Sequence, residues 1–175
     1  LACRVDLLYG NFRDLPQLLE GIGVKTVNAI LLDIGISSEQ LEQSGRGFSF
    51  QKDESLLMTM NTDHSVVPFT AADIVNTWGE KQLADVIYAY GEERLSRQIA
   101  KAIVLARREK RITSSSELGE IISAVVPDSY RHGPIHPATR TFQALRIVVN
   151  DELGALKEGL REGWKVLAPG GRLAV

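Results

Sequence analysis

The stretch Val27–Gly35, VNAILLDIG, decides the fold. It is a continuous apolar run that closes on Asp33 and Gly35. A run of this kind reads as a parallel strand buried on both faces, with a carboxyl end that opens onto a ligand crevice. A buried helix segment would also accommodate the apolar residues, but so short a run closed by a glycine favours the strand.

Upstream, RVDLLYGNF (Arg4–Phe12) alternates enough to predict a short strand ending at Gly10. DLPQLLEGIG predicts a short helix, with Asp14 as N-cap and Pro16 in the first turn. Downstream, residues 37–65 are polar, with a single helical turn at Ser38–Gln43. A loop of that length is usually functional. From Thr70 to Val126 the chain reads as helices. Thr70 caps the first, and Leu83, Val86, Ile87 and Tyr90 lie at helical spacing in the second. Leu95, Ile99, Ala102 and Ile103 mark the third, which closes on a basic end. Ser114 or Ser115 caps the fourth, and Pro127 ends it. A helix from about Thr139 to Leu153, another over Ala155–Leu167, a Pro-Gly-Gly turn and a strand at Arg172–Val175 complete the order. The α/β signals thus lie at the two ends and an all-helical block lies between them. An insertion into an α/β domain explains that order, with Ile30–Asp33 and Leu173–Val175 as neighbouring strands.

A chain of 175 residues suits one domain, or one domain with an insertion. Its 44% apolar and 24% charged residues are those of an ordinary globular protein. The sequence lacks an apolar run of membrane-spanning length. A lone Cys3 excludes an internal disulfide and a cysteine-based zinc site, so a cytoplasmic location is expected. The net charge of −2 means that any nucleic-acid binding must come from a local patch or a further basic segment. The absence of an initiator methionine and the closing PGGRLAV lead to the expectation of an incomplete chain.

Four constellations could carry chemistry. LLDIGISSEQL places Asp33 at a strand end and Ser37, Ser38 and Gln40 in the next turn, where open α/β sheets bind ligands. The structural alternative is that Asp33 caps the following helix. SGRGFSF sets Arg46 beside Phe48 and Phe50: a base could stack on either ring with the cation near a phosphate, or the rings could anchor the loop in the core. ARREKR, with Arg107 and Arg108, could contact phosphates, or could be a solvated helix end. YRHGPIHPATRT gathers His136, Thr139 and Arg140, which with the free N–H groups of a helix start could hold a phosphate. Capping by Thr139 is the alternative. Two histidines without a nearby acid do not make a metal site, and none is expected.

Five segments, LLDIGISSEQL, RGFSF, YGEERLSRQIAKAI, HPATRTFQALRIVVNDEL and LAPGGRLAV, resemble in order and spacing the S-adenosylmethionine-dependent methyltransferases that modify the exocyclic N4 of a cytidine in small-subunit ribosomal RNA. The resemblance implies an incomplete Rossmann-like sheet carrying an inserted all-helical domain. Residues 1–40 and 143–175 would belong to the methyltransferase part, and 41–142 would form an active-site loop and an RNA-binding insertion. It implies S-adenosylmethionine as cofactor, contacted by Phe12, Asp33 and Gln40. The family's G-x-G-G-H loop and its terminal basic tail are expected to lie outside this stretch. After RGFSF the family usually reads D-G-P-L-D-M-R-M-D; here Glu54, Ser55, Leu57, Thr59 and Asn61 depart from it.

The expected reaction is attack by the cytosine amine on the cofactor's methyl group, with Asp33, Ser37 or Ser38 accepting a hydrogen bond from the amine. Expected RNA contacts are Arg46, Phe48, Phe50, Arg107, Arg108, His136, Thr139 and Arg140. The expected partners are small-subunit ribosomal RNA or the assembled small subunit, with a homodimer also admitted and no membrane. The competing expectation is a non-catalytic RNA-binding helical module on a truncated or decayed methyltransferase core.

Overall fold

The computed structural model describes residues 4–61 and 68–175; Cys3 and the end of the polar stretch lie outside the described residues. The chain forms two compact units, Leu1–Gly35 with Asp151–Val175, and Ile36–Asn150. The divisions expected from sequence, 40/41 and 142/143, fall inside helices α2 (Ser38–Gln43) and α8 (Thr139–Val149).

In the outer unit, β1 (Val27–Leu31) pairs in parallel with β2 (Leu167–Ala174), Ile30 opposite Leu173 and Leu31 opposite Ala174. The N–H of Leu32 extends the ladder to the carbonyl of Ala174 at 2.9 Å. VNAILLDIG is therefore a parallel strand and not a helix. Its expected burial on both faces is not found. Ile30 is buried against Gly163 of helix α9 (Glu152–Val166), whereas Leu31, pointing to the opposite face, is 77% exposed. The Pro-Gly-Gly turn lies within β2 as an irregularity: between the Val27–Leu167 and Ala29–Arg172 pairs β2 bulges outward, with Gly170 at φ 79°.

The strand predicted at Arg4–Gly10 does not form. A strand is defined by its ladder, and these residues pair with no strand among the described residues; Leu7 and Tyr9 are each 93% exposed. Instead a 3-10 turn at Phe12–Asp14, capped by the Asn11 side chain, leads into α1 (Leu15–Gly21). Asp14 stands at the N-cap of α1 but its side chain makes no capping bond. α1 packs against α9.

The inner unit is helical: α2, α3 (Ala71–Thr77), α4 (Glu80–Gly91), α5 (Ser96–Glu109), α6 (Ser115–Val125), α7 (Asp128–Arg131) and α8. Ile74, Leu83, Ile87, Ile99, Ile103, Leu118, Ile122 and Leu145 form its core, with α4 packed on α5 and α8. The stripe on α4 is narrower than predicted, because Tyr90 at its end is exposed. Thr70 caps α3 in a reciprocal box with Asp73. Ser114 caps α6, while the buried Ser115 donates its hydroxyl to the Lys52 carbonyl at 2.7 Å.

α8 stops at Val149, short of the predicted Leu153, and the reason is Asn150. Its Nδ2 donates to the carbonyls of Arg146 at 2.8 Å and Met58 at 2.7 Å, and its Oδ1 accepts the N–H of Met60 at 2.6 Å. The side-chain amide therefore clamps the backbone of the 44–61 loop, in which Leu56 and Met58 are fully buried. Asn150→Ala strands two part-buried backbone groups, at about 1–3 kcal/mol for each unsatisfied group. Urea unfolding is expected to show a loss of about 2–6 kcal/mol by the same reckoning. An unchanged midpoint would exclude the clamp.

Candidate functional site

The 44–61 loop is bent by Gly47, at φ 72°, whose N–H donates to Glu54 Oε2 at 2.9 Å. A β-carbon there would collide with the carbonyl of Ser55, so glycine is required on steric grounds. The bend presents Phe48 and Phe50 beside α8. One face of α8 carries Thr139, Phe142, Gln143 and Arg146 at helical spacing. With Ile36, Leu41, Ser49 and Gln51 these residues line a cleft of about 440 Å³ within the inner unit. Aromatic rings form its floor and amide, hydroxyl and guanidinium groups lie on its rim.

Phe50 stacks on His136, with ring centroids 4.1 Å apart and 16° between planes, and meets Phe142 edge-on at 5.3 Å. Behind it lies Gly119 of α6, where a β-carbon would come within 3.1 Å of Phe50 Cβ. His136 Nδ1 accepts the N–H of Ala138 at 3.2 Å, which leaves the proton on Nε2. Burial holds the His136 pKa below its ordinary value, so at neutral pH the ring is neutral. His136 therefore offers a flat stacking surface and no positive charge.

The fold gathers Phe48, Phe50, His136 and Thr139 around this cleft or its stacked aromatics, sets Arg46 behind Phe48, and sends Arg107, Arg108 and Arg140 elsewhere. Arg46 donates to the carbonyls of Thr59 and Met60, both at 2.9 Å, and lies over the Phe48 ring. Thr139 is the first residue of α8; Ala138 is the N-cap and makes no side-chain capping bond, so capping does not account for the threonine. Arg140 faces away, toward Tyr88 and Arg94. Arg107 donates to the Val75 and Trp78 carbonyls at 2.8 and 2.7 Å, closing the end of α3, and Arg108 is exposed. Gln143 and Arg146 also line the cleft, and their helical spacing from Thr139 is the signal that marks them in the sequence. Asn150 carried none, because its partners are remote in sequence.

The departures from the family pattern are built into the loop. Glu54 holds Gly47, Ser55 bridges to Ser114, the Leu57 carbonyl accepts the N–H of Ala71, and Thr59 is fully buried with its hydroxyl on the Asn61 carbonyl at 3.1 Å. A small neutral residue at Thr59 fits that enclosed position.

In the outer unit, Phe12 is half-buried against α9. A β-carbon at Gly159 would lie within 2.7 Å of Phe12 Cε2, so that glycine makes room for the ring. Arg13 ties the same segment to Asp151 at 3.0 Å and Glu158 at 3.5 Å. Asp33 is exposed just past the carboxyl end of β1. It does not cap α2. That cap is a reciprocal box in which Ser37 Oγ accepts the Gln40 N–H at 3.1 Å and Gln40 Oε1 accepts the Ser37 N–H at 3.0 Å. Gln40 keeps its amide donors, and Ser38 is exposed at the first turn of α2. Among the described residues no cluster of His, Cys, Asp and Glu could hold a metal ion, and no helix is long and apolar enough to cross a membrane.

The profile of the MraW methylase family matches residues 1–175. The Ribosomal RNA small subunit methyltransferase H of Paramagnetospirillum magneticum is 54% identical over 174 residues, covering 99% of this chain and 53% of its own length. Proteins of the same name from Methylobacterium nodulans and Deinococcus deserti are 50% and 53% identical, over 100% and 98% of this chain and 50% and 55% of theirs. The chain spans about half the length of the curated relatives it matches.

Because the His136 pKa is lowered in the fold, acidification protonates the unfolded chain first. His136 then lowers stability as pH falls from its ordinary value of 6.5 toward the lower folded value, and above that range it has no effect. His136→Phe keeps the stack and removes the titration. Thermal melts from pH 7.5 to about 5.5 are expected to fall less steeply in the variant than in the wild type. Parallel profiles would exclude the coupling.

Proposed function

The chain belongs to the MraW methylase family, and on that premise we propose that it transfers a methyl group from S-adenosylmethionine to the exocyclic N4 of a cytidine in small-subunit ribosomal RNA. The observation that supports this reading most directly is the cleft floored by Phe48 and Phe142 beside the Phe50–His136 stack. An aromatic floor with a polar rim is what a base taken out of its stack requires.

The cytosine amine is a poor nucleophile because its lone pair conjugates with the ring. The protein's task is to hold that nitrogen within about 3–3.5 Å of the reacting carbon and to accept a hydrogen bond that draws it toward tetrahedral geometry. Asp33 is exposed and carries an acceptor for this; Ser37, whose oxygen already accepts the Gln40 N–H, and Ser38 are the alternates. When bound, S-adenosylmethionine supplies the electrophilic methyl group. The donor set fits it residue by residue. Phe12 offers a ring for the adenine, Asp33 an anion for the ammonium or sulfonium end, and Gln40 the amide donors left over from its capping bond.

For RNA, Phe50 supplies stacking with His136 as the neutral partner ring, and Thr139 a hydrogen bond, while Phe48, buried in the inner core, anchors the loop that carries Phe50. Arg108 and Arg140 supply phosphate contacts, while Arg46 and Arg107 act by fixing the segments around them. The helical residues between 41 and 142 serve as an RNA-receiving insertion in a cytoplasmic enzyme acting on ribosomal RNA or the assembled subunit, as a monomer or a homodimer. The second reading, an RNA-binding module without catalysis, draws on the departures at Glu54, Ser55, Leu57, Thr59 and Asn61.

Incubation with methyl-labelled S-adenosylmethionine and small-subunit ribosomal RNA, followed by digestion to nucleosides, tests the assignment. Label is expected in N4-methylcytidine. Bound RNA without label would favour the binding module, and label in another nucleoside would overturn the N4 assignment. Phe50→Ala is expected to lower kcat/KM roughly tenfold or more, from lost stacking of about 1–3 kcal/mol. An unchanged value would remove the base from this cleft.

A further inference from the structure

We propose that the corner where α4, α5 and the first turn of α8 meet, carrying Tyr88, Arg94, Arg97 and Arg140, is a second RNA-backbone site. It rests on the RNA reading above and shares no lining residue with the aromatic cleft.

The corner is rigidly built. At Gly91 a β-carbon would collide with the backbone carbonyl of Arg140, so the end of α4 packs directly on α8. Glu92 then turns the chain at φ 53°. Glu93, fully buried, accepts the N–H of Leu95 at 2.8 Å on one oxygen and the Tyr130 hydroxyl on the other. Arg140 lies close to the same phenol, where its charge opposes the rise that burial and Glu93 impose on the Tyr130 pKa. The buried Glu93 and its partners fix the turn from which Arg94 projects.

Two adjoining clefts, of about 350 and 520 Å³, share Tyr88 and Arg94; one adds Arg97 and the other Arg140. Arg94 and Arg97 have no ion-pair or hydrogen-bond partner among the described residues. Of the acids at the corner, Asp85 is held by Lys81 at 2.6 Å and Glu93 is buried on Leu95 and Tyr130, which leaves Glu92 as the exposed acid beside Arg94 and Arg140, with Arg97 in the adjoining cleft. Tyr88 stands between the two clefts, 63% exposed. Guanidinium groups match phosphate oxygens in geometry and charge, and an exposed aromatic ring between them matches an unstacked base. In a chain whose net charge is −2, this local excess of cations selects a polyanion and not proteins in general.

The test is fluorescence anisotropy with a labelled fragment of small-subunit ribosomal RNA, titrated at several salt concentrations. Arg94→Gln with Arg97→Gln is expected to flatten the slope of log affinity against log salt by about 0.7 per lost phosphate contact, about 1.4 for the pair. Arg94→Lys with Arg97→Lys is expected to restore the slope, and its melting temperature serves as the folding control. Tyr88→Ala is expected to lower affinity with the slope unchanged. If the wild type binds RNA and the glutamine pair keeps its slope, the corner is overturned while the reading of the cleft stands. If the wild type binds no RNA, both fall. If the glutamine pair loses binding only to the assembled subunit and not to RNA, the corner meets a ribosomal protein and the RNA assignment is overturned.

Discussion

The geometry of the inner unit depends on one side-chain amide. Asn150 presents a donor and an acceptor in the arrangement of a peptide group, and the loop backbone at Met58 and Met60 pairs with it as with a neighbouring strand. Met58 itself stands at φ 56°, a conformation costly for a non-glycine residue, and it is held there by this clamp, by its N–H on the Arg46 carbonyl and by burial. With the Glu54 bond to Gly47 and the packing of Phe50 on His136 and Phe142, the clamp fixes the loop that lines the cleft. Asn150 also ends α8, so a single group bears on both the wall and the floor of the cleft.

The arginines divide into two groups by what they touch. Arg46 and Arg107 give their N–H groups to carbonyls that a helix end or a loop would otherwise leave bare. Arg111 pairs with Asp73, and Lys110 with Glu117. These basic residues brace the fold, which is why a basic run such as ARREKR is a weak sign of nucleic-acid binding. Arg94 and Arg97 face open clefts instead, beside Arg140. They come from YGEERLSRQ, a segment that in sequence looks like ordinary amphipathic helix. Position relative to acids and carbonyls, rather than local charge density, separates the two groups.

The departures in DESLLMTMN show how a changed sequence can keep a constrained loop. Glu54 and Ser55 join the loop to the start of α6, and the carbonyls of Leu56 and Leu57 receive the first N–H groups of α3. The contacts to α6 and α3 use backbone groups of the loop and so do not depend on an ion pair, while the Glu54 carboxylate holds Gly47 within it. Burial of Leu56 and Met58, which match the family pattern, supplies the anchor.

By itself the sequence determined what is local. VNAILLDIG specified a parallel strand, Thr70-Ala-Ala-Asp73 a capped helix, and the spacing of Leu83, Ile87, Ile99 and Ile103 a helical core. Each depends on residues a few positions apart, where backbone geometry turns spacing directly into direction. The tertiary structure decided what depends on remote partners. It left Arg4–Gly10 without a ladder, exposed Leu31 where burial was expected, ended α8 at Asn150, and placed Arg140 away from Thr139 although the two are adjacent in the chain. Adjacent residues on a helix point about 100° apart, and which direction faces a cleft is set by the elements packed around the helix. A polar motif read as one site in sequence is for that reason divided between two faces in the fold.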